Sequence, residues 1–276
     1  MSNPVADISF ENAGQVESAY SYLPTETKRS VRIPRVIPFR PARGPAQKAA
    51  EATPGQLASD FPAGSDRATR ALNLAVGIIA LVVAWPLFVL IAIAIKLSSK
   101  GPVFYKQVRI GIDRRWNKRQ FPYDVRSSDL GGRPFTMYKF RTMIPEAETD
   151  GQEIWATPRD PRVTRVGRFL RTTRLDELPQ IINVLAGDMN VVGPRPERPG
   201  IFAELRESIP SYHLRQRVMP GITGWAQVNQ AYDTCLDDVR QKVNYDLDYL
   251  RRRSVKLDLT IMARTVPIMT LSNFGW

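Results

Sequence analysis

The chain has 276 residues, 43% of them hydrophobic, enough for one sizeable domain with appendages. Its 39 Lys and Arg against 27 Asp and Glu leave a formal net charge of +12, which suits polyanionic partners: nucleic acid, anionic lipid headgroups or phosphorylated substrates. The single cysteine, Cys235, excludes an intrachain disulfide and a cysteine-rich zinc site, and the single histidine, His213, leaves chemistry to carboxylates, Arg and Lys, with a hard oxygen-liking metal.

Residues 1–65 read as a weakly ordered, basic, proline-rich tail. Pro4, Pro24, Pro34, Pro38, Pro41, Pro45, Pro54 and Pro62 leave little room for a long helix. Lys28, Arg29, Arg32, Arg35, Arg40 and Arg43 form a basic patch, read either as a solvated tail or as a segment near anionic lipid. No apolar stretch follows the start, so the tail does not resemble a signal peptide.

The composition changes sharply at Ala71. From there to Leu97 the only polar residue is Asn73 and the only charge Lys96, and the run exceeds the roughly 20 residues needed to cross a bilayer. Pro86 near its middle removes an N–H donor and predicts a kink or break. Arg67 and Arg70 precede the run; Lys96, Lys100, Lys106 and Arg109 follow it. Basic flanks mark the cytoplasmic side. With both flanks basic, a kinked span and a re-entrant hairpin over 66–100 are equally compatible with the residues.

Residues 101–276 read as a helix-rich α/β domain, compact and cytosolic. Short strands are predicted at Val103–Tyr105 and Phe135–Tyr138, joined by a long loop from Asn117 to Arg133. A helix running to Leu170 starts near Asp160–Val163, capped by Asp or Thr, and the spacing of Leu175, Leu178, Ile181, Ile182 and Leu185 predicts another that Gly187 ends. Leu236–Arg252 and Val255–Leu271 read as helices, the latter with an apolar face for the core or the membrane surface.

Chemistry concentrates in four stretches. In Arg168–Gln180, Arg168, Arg171 and Arg174 precede the adjacent carboxylates Asp176 and Glu177. One carboxylate at such a site can attack phosphorus and the other can hold Mg²⁺, while arginines bind phosphate oxygens and lower the carboxylate pKa. Taken alone, the pair reads equally as a surface ion-pair patch. In Gly187–Pro199, the prolines flanking Arg195 stiffen the loop that carries its guanidinium. In Pro220–Asn229, a glycine-punctuated turn runs into a short strand, with Trp225 in the core. In Tyr138–Met143, alternation predicts a half-buried strand with Lys139 and Arg141 on one face.

The ordered set YKFRTM (138–143), RTTRLDELPQ (171–180), GDMNVVGPRP (187–196) and PGITGWAQVN (220–229) resembles the bacterial sugar transferase family, over about residues 67–272. These are the monotopic phosphoglycosyl transferases that start exopolysaccharide, O-antigen and glycoprotein glycan assembly, here in a minimal form. The resemblance implies a Pro-broken re-entrant membrane helix, although Trp85 stands where the family has Ser before the proline. It implies Asp176 as nucleophile toward the sugar-linked phosphate of a UDP-sugar, and transfer of the phosphosugar to undecaprenyl phosphate. It implies Glu177 as ligand of Mg²⁺, and Arg171, Arg195 with its neighbour Pro196, Lys139 and Arg141 as substrate-binding residues. An inner (cytoplasmic) membrane enzyme follows, its catalytic domain on the cytoplasmic face and membrane lipids among its partners. No nucleic acid is expected, and a homodimer is compatible with the reading.

Departures from the family pattern are Met219 before Pro220, and Gln230-Ala231 where relatives carry Gly-Arg. Arg215 or Arg217 is a candidate to replace that arginine. The competing readings are a membrane-tethered binder of nucleic acid or anionic lipid and a noncatalytic partner of a glycan assembly complex.

Overall fold

The computed structural model describes residues 67–113, 131–144, 160–230 and 235–271. The 1–65 tail, most of the predicted 117–133 loop and Ala231 lie outside the described residues.

Helix α1, Arg67–Ser98, is long and apolar enough to cross a membrane. The run read from Ala71 to Leu97 is helical throughout, and the helix continues through Pro86. The expected break is thus not an interruption of the secondary structure: neighbouring turns carry the helix past the one hydrogen bond the proline removes. Ile78, Ile79, Val82, Val83, Trp85, Val89 and Leu90 are exposed along it.

Strands β1, Phe104–Ile110, and β2, Pro134–Phe140, form an antiparallel pair with Phe104 opposite Phe140 and Ile110 opposite Pro134. Both are longer than the sequence predicted, and β2 ends before Arg141. Helix α2, Arg165–Thr172, starts at Thr164, whose hydroxyl accepts from the Gly167 N–H at 2.9 Å. Threonine is therefore the cap; Asp160 instead pairs with Arg162.

The helix predicted from Leu175 to Leu185 divides in two. Leu175–Glu177 is a single 3-10 turn, and helix α3 runs from Gln180 to Ala186. Pro179 lies between them, where its missing N–H is harmless at a helix start. Gly187 closes α3 with φ +88°, as its place in the sequence suggested.

Strand β3, Asn190–Val192, pairs in parallel with β4, Gly221–Thr223, across helix α4, Pro199–Ser208, and the 3-10 segment Tyr212–Arg217. The two strand ends meet at glycines: a Cβ on Gly221 would lie 2.1 Å from Gly193 N. The order of elements in the fourth motif reverses the sequence reading. The strand comes first, and Trp225–Asn229 is a short helix, α5, with Trp225 buried. Helices α6, Leu236–Arg252, and α7, Val255–Leu271, have the predicted bounds.

The largest core cluster gathers Phe202, Tyr212, Leu214, Val243, Leu247, Leu250 and Ile261 from α4, α6, α7 and the 3-10 segment. A second joins Ile91 and Ile95 of α1 to Phe140 and Leu170; a third joins Phe135 and Met137 of β2 to Val184 and Met189.

Candidate active site

The site starts from a bond between a strand and a helix. Asn183, fully buried in α3, accepts from the Tyr138 N–H at 3.1 Å and donates to the Thr136 carbonyl at 2.7 Å. Its amide acts on β2 as a neighbouring strand would, and fixes α3 and the preceding turn against it. Arg174 leads into that turn with φ +56°, a left-handed conformation that is unfavourable for a side chain with a Cβ. The turn directs Asp176 inward, to 9% exposure.

Glu177 lies at the meeting point of three elements. Its Oε1 accepts from Lys139 Nζ of β2 at 2.8 Å and from Arg195 Nη2 at 2.6 Å. Burial raises the Glu177 pKa, but Arg195 and Lys139 outweigh it and hold the carboxyl well below the usual range. Asp176 shifts the other way. Burial raises its pKa, opposed by Lys139, reinforced by Glu177, and opposed again by Arg171 and Arg195. The arginines lower the Asp176 pKa as expected, but desolvation is the larger effect and the net shift is upward. Among the described residues, none donates a hydrogen bond to the Asp176 carboxylate.

Arg171 donates through Nε to the Thr142 hydroxyl at 2.9 Å. Its terminal nitrogens donate to no described residue, which leaves the forked edge of the guanidinium available to phosphate oxygens. Arg141 stands apart from the other predicted ligands. It is buried, and its Nη2 donates to the Ser99 carbonyl at 2.8 Å and hydroxyl at 3.0 Å, just past the end of α1. Strand alternation ends at Phe140, so the shared face read for Lys139 and Arg141 does not bring them to one group.

Arg195 owes its place to its backbone. Four successive carbonyls each accept a bond from a different donor: Pro194 from Gly221 N at 3.0 Å, Arg195 from Arg215 Nη2 at 3.1 Å, Pro196 from Arg109 Nη1 at 3.0 Å, and Glu197 from Ile110 N at 2.9 Å. The sequence reading missed Arg109, Asn183, Glu197 and Asp246 as contributors. No local pattern marks them, because each acts across a long stretch of chain. Arg109 is partly buried beside the site; desolvation lowers its pKa to about 10, with Glu197 opposing and Arg195 adding to the fall.

Arg215 does not replace the arginine absent at position 231. It is 2% exposed and committed to Asp246, Glu197 and Tyr212. Among the described residues there is no cluster of three or more His, Cys, Asp and Glu. Mg²⁺ does not require one: one or two carboxylates suffice when phosphate oxygens and water complete the shell. Asp176 and Glu177 fit that donor set, with the condition that Glu177 exchanges at least part of its contact with Lys139 and Arg195.

The bacterial sugar transferase family model matches residues 65–272. The chain is 42% identical over 199 residues to UDP-glucose:undecaprenyl-phosphate glucose-1-phosphate transferase of Escherichia coli, covering 71% of this chain and 39% of that protein. It is 39% identical over 206 residues to UDP-N-acetylgalactosamine-undecaprenyl-phosphate N-acetylgalactosaminephosphotransferase of Aeromonas hydrophila, covering 75% and 44%. A third relative, UDP-glucose:undecaprenyl-phosphate glucose-1-phosphate transferase of Caulobacter vibrioides, is 41% identical over 192 residues, covering 68% and 64%. The matched region thus spans less than half of the first two. Motifs, family model and relatives agree that the chain belongs to the bacterial sugar transferase family.

Proposed function

We propose that this protein transfers a sugar 1-phosphate from a UDP-sugar to undecaprenyl phosphate, with Asp176 as covalent nucleophile. The observation that carries this reading is the contrast within the dyad. Asp176 is turned inward with no hydrogen-bond donor among the described residues, while its neighbour Glu177 is clasped by Lys139 and Arg195. An unpaired, desolvated carboxylate is a stronger nucleophile than a solvated one, and cations beside it receive the negative phosphates it must approach. The activities for which those relatives are named point the same way.

In the first step an Asp176 oxygen forms a bond to the phosphorus that carries the sugar. The bond from that phosphorus to the bridging oxygen breaks, and uridine monophosphate leaves with the electron pair. In the second step an oxygen of undecaprenyl phosphate attacks the same phosphorus. The Asp176–phosphorus bond breaks, the carboxylate is restored, and undecaprenyl diphosphate-sugar is formed. Arg171 and Arg195 receive the phosphate charge. Glu177 would hold Mg²⁺, which would supply further charge neutralisation at the diphosphate.

The acceptor is a lipid, and α1 brings the site to the membrane. Both flanks of α1 hold to the same body of the protein. Arg70 donates to the carbonyls of Val184 at 2.7 Å and Leu185 at 2.9 Å, while Ile91 and Ile95 pack on Phe140 and Leu170. At about 1.5 Å per residue, a straight helix would place Arg70 and Ile95 about 37 Å apart, more than the roughly 30 Å hydrocarbon core. A crossing helix would set its two flanks on opposite faces. Their common attachment supports a re-entrant anchor in the inner membrane with the site on the cytoplasmic face.

The test is release of uridine monophosphate by detergent-purified protein given undecaprenyl phosphate, Mg²⁺ and a panel of UDP-sugars, beside Asp176→Asn. Release with a particular sugar, lost in the variant, is expected and identifies the donor. Equal release by Asp176→Asn overturns the nucleophile. No release with any donor from folded protein favours a noncatalytic partner of a glycan assembly complex.

A further inference from the structure

The loop carrying Arg195 has an unusual holding problem. Pro194, Pro196 and Pro199 have no N–H, so the segment offers mainly carbonyls by which the rest of the fold can fix it. Two of the four donors that take those carbonyls are guanidinium groups, those of Arg109 and Arg215.

Arg215 is the more deeply placed. Its Nε and Nη2 lie 2.9 and 2.7 Å from Asp246 Oδ2, and both side chains are 2% exposed. Its Nη1 donates to the Tyr212 hydroxyl at 2.7 Å and to Glu197 Oε1 at 3.3 Å. Nη2 also donates to the Arg195 carbonyl at 3.1 Å. Lys242 braces the same Glu197 oxygen from α6 at 3.1 Å. A planar fork with five donors can serve the carboxylates, the phenol and the carbonyl together; an ammonium group cannot span them. The network ends on the backbone of the residue whose guanidinium lies 2.6 Å from Glu177.

We propose that Arg215, anchored by Asp246, is a positioning residue for the transfer reaction. It fixes the Arg195 backbone and thereby sets where the Arg195 guanidinium meets Glu177 and the donor phosphates. This rests on the reading of Arg195 as a donor-phosphate ligand given above. A loose Arg195 would need to be ordered in every turnover, and small misplacement of a charge-bearing group is costly to rate.

The experiment compares wild type, Arg215→Lys, Arg195→Gln and the double variant in full-length protein. It reads kcat/KM for uridine monophosphate release, the melting temperature, and amide hydrogen exchange of peptides covering residues 190–202. Arg215→Lys is expected to lower kcat/KM by about tenfold to a hundredfold in wild type but less than twofold in the Arg195→Gln background. Any fall in melting temperature should be the same in both backgrounds. Exchange should quicken in the 190–202 peptides with α3 unchanged. Equal rate losses in both backgrounds, or unchanged exchange in this loop, overturn the proposal and leave Arg215 a residue of the fold alone. Asp246→Asn, which keeps side-chain shape, is judged by the same criteria if Arg215→Lys does not fold. Failure of the transferase reading looks different: wild type then releases no uridine monophosphate with any donor, while the exchange measurement still decides the positioning.

Discussion

Lys139 of β2 and Glu177 of the 3-10 turn, 38 positions apart in sequence, are joined by a 2.8 Å ion pair in the site, with side-chain exposures of only 17% and 12%. Arg195 shares the same Glu177 oxygen. The cations proposed to receive the donor phosphates are therefore engaged by the carboxylate proposed to hold the metal. Replacing Lys139 by Met should lower uridine monophosphate release by about 10²–10³, the usual effect of removing one charge-stabilising group. It should also tighten manganese(II) binding without nucleotide, measured by electron paramagnetic resonance, because one competitor for Glu177 is gone. Unchanged turnover would remove Lys139 from the site.

Burial raises the Asp176 pKa, and the sign of that shift sets both activity and stability. On the proposed mechanism Asp176 must be ionised, so the rate should rise with pH through an acid limb lying above the ordinary aspartate range. Arg171 opposes the shift, so Arg171→Gln should move the limb upward. For stability the relation inverts. A folded-state pKa above the unfolded value means ionised Asp176 destabilises the fold at neutral pH, and stability from this group returns as pH falls through the folded pKa. Asp176→Asn should accordingly melt above wild type while losing turnover. A lower melting temperature would count against the desolvated carboxylate.

Asn183 carries the bond between strand and site. Asn183→Leu would leave the Tyr138 N–H and Thr136 carbonyl without their partner, at about 1–3 kcal/mol for each group left unsatisfied. Chemical denaturation should show a loss in that range, and turnover should fall because Lys139 and Glu177 are no longer held in register.

Gly221→Ala should disrupt the β3–β4 pair, because its Cβ would fall 2.1 Å from Gly193 N, a backbone atom that cannot swing away. Gly187→Asn is the control. At φ +88° asparagine should be tolerated at a cost of about 1 kcal/mol. Comparable damage from both would show that the close approach of the strands is not the cause.

Topology is testable with single cysteines at positions 65 and 105 in a Cys235→Ser background, since Cys235 is exposed. Membrane-impermeant reagent should reach both from the cytoplasmic side only. Labelling of one from the opposite side would establish a full crossing and overturn the re-entrant reading.

What the sequence determined by itself was set by local physics. Apolar spacing gave α6 and α7 their bounds, the uninterrupted apolar run from Ala71 to Leu97 gave α1, and the left-handed freedom of Gly187 gave the end of α3. Each depends on residues within a few turns of one another. The motifs also named Asp176, Glu177, Lys139 and Arg195, but not how they meet. Only the tertiary structure decided that Lys139 and Arg195 share one oxygen of Glu177, that Arg141 turns to Ser99, and that Arg215 lies under the Arg195 loop. Only the fold decided the sign of the Asp176 shift as well. Neighbouring arginines are visible in the sequence, but desolvation depends on which distant segments close over the carboxylate, and here it outweighs them.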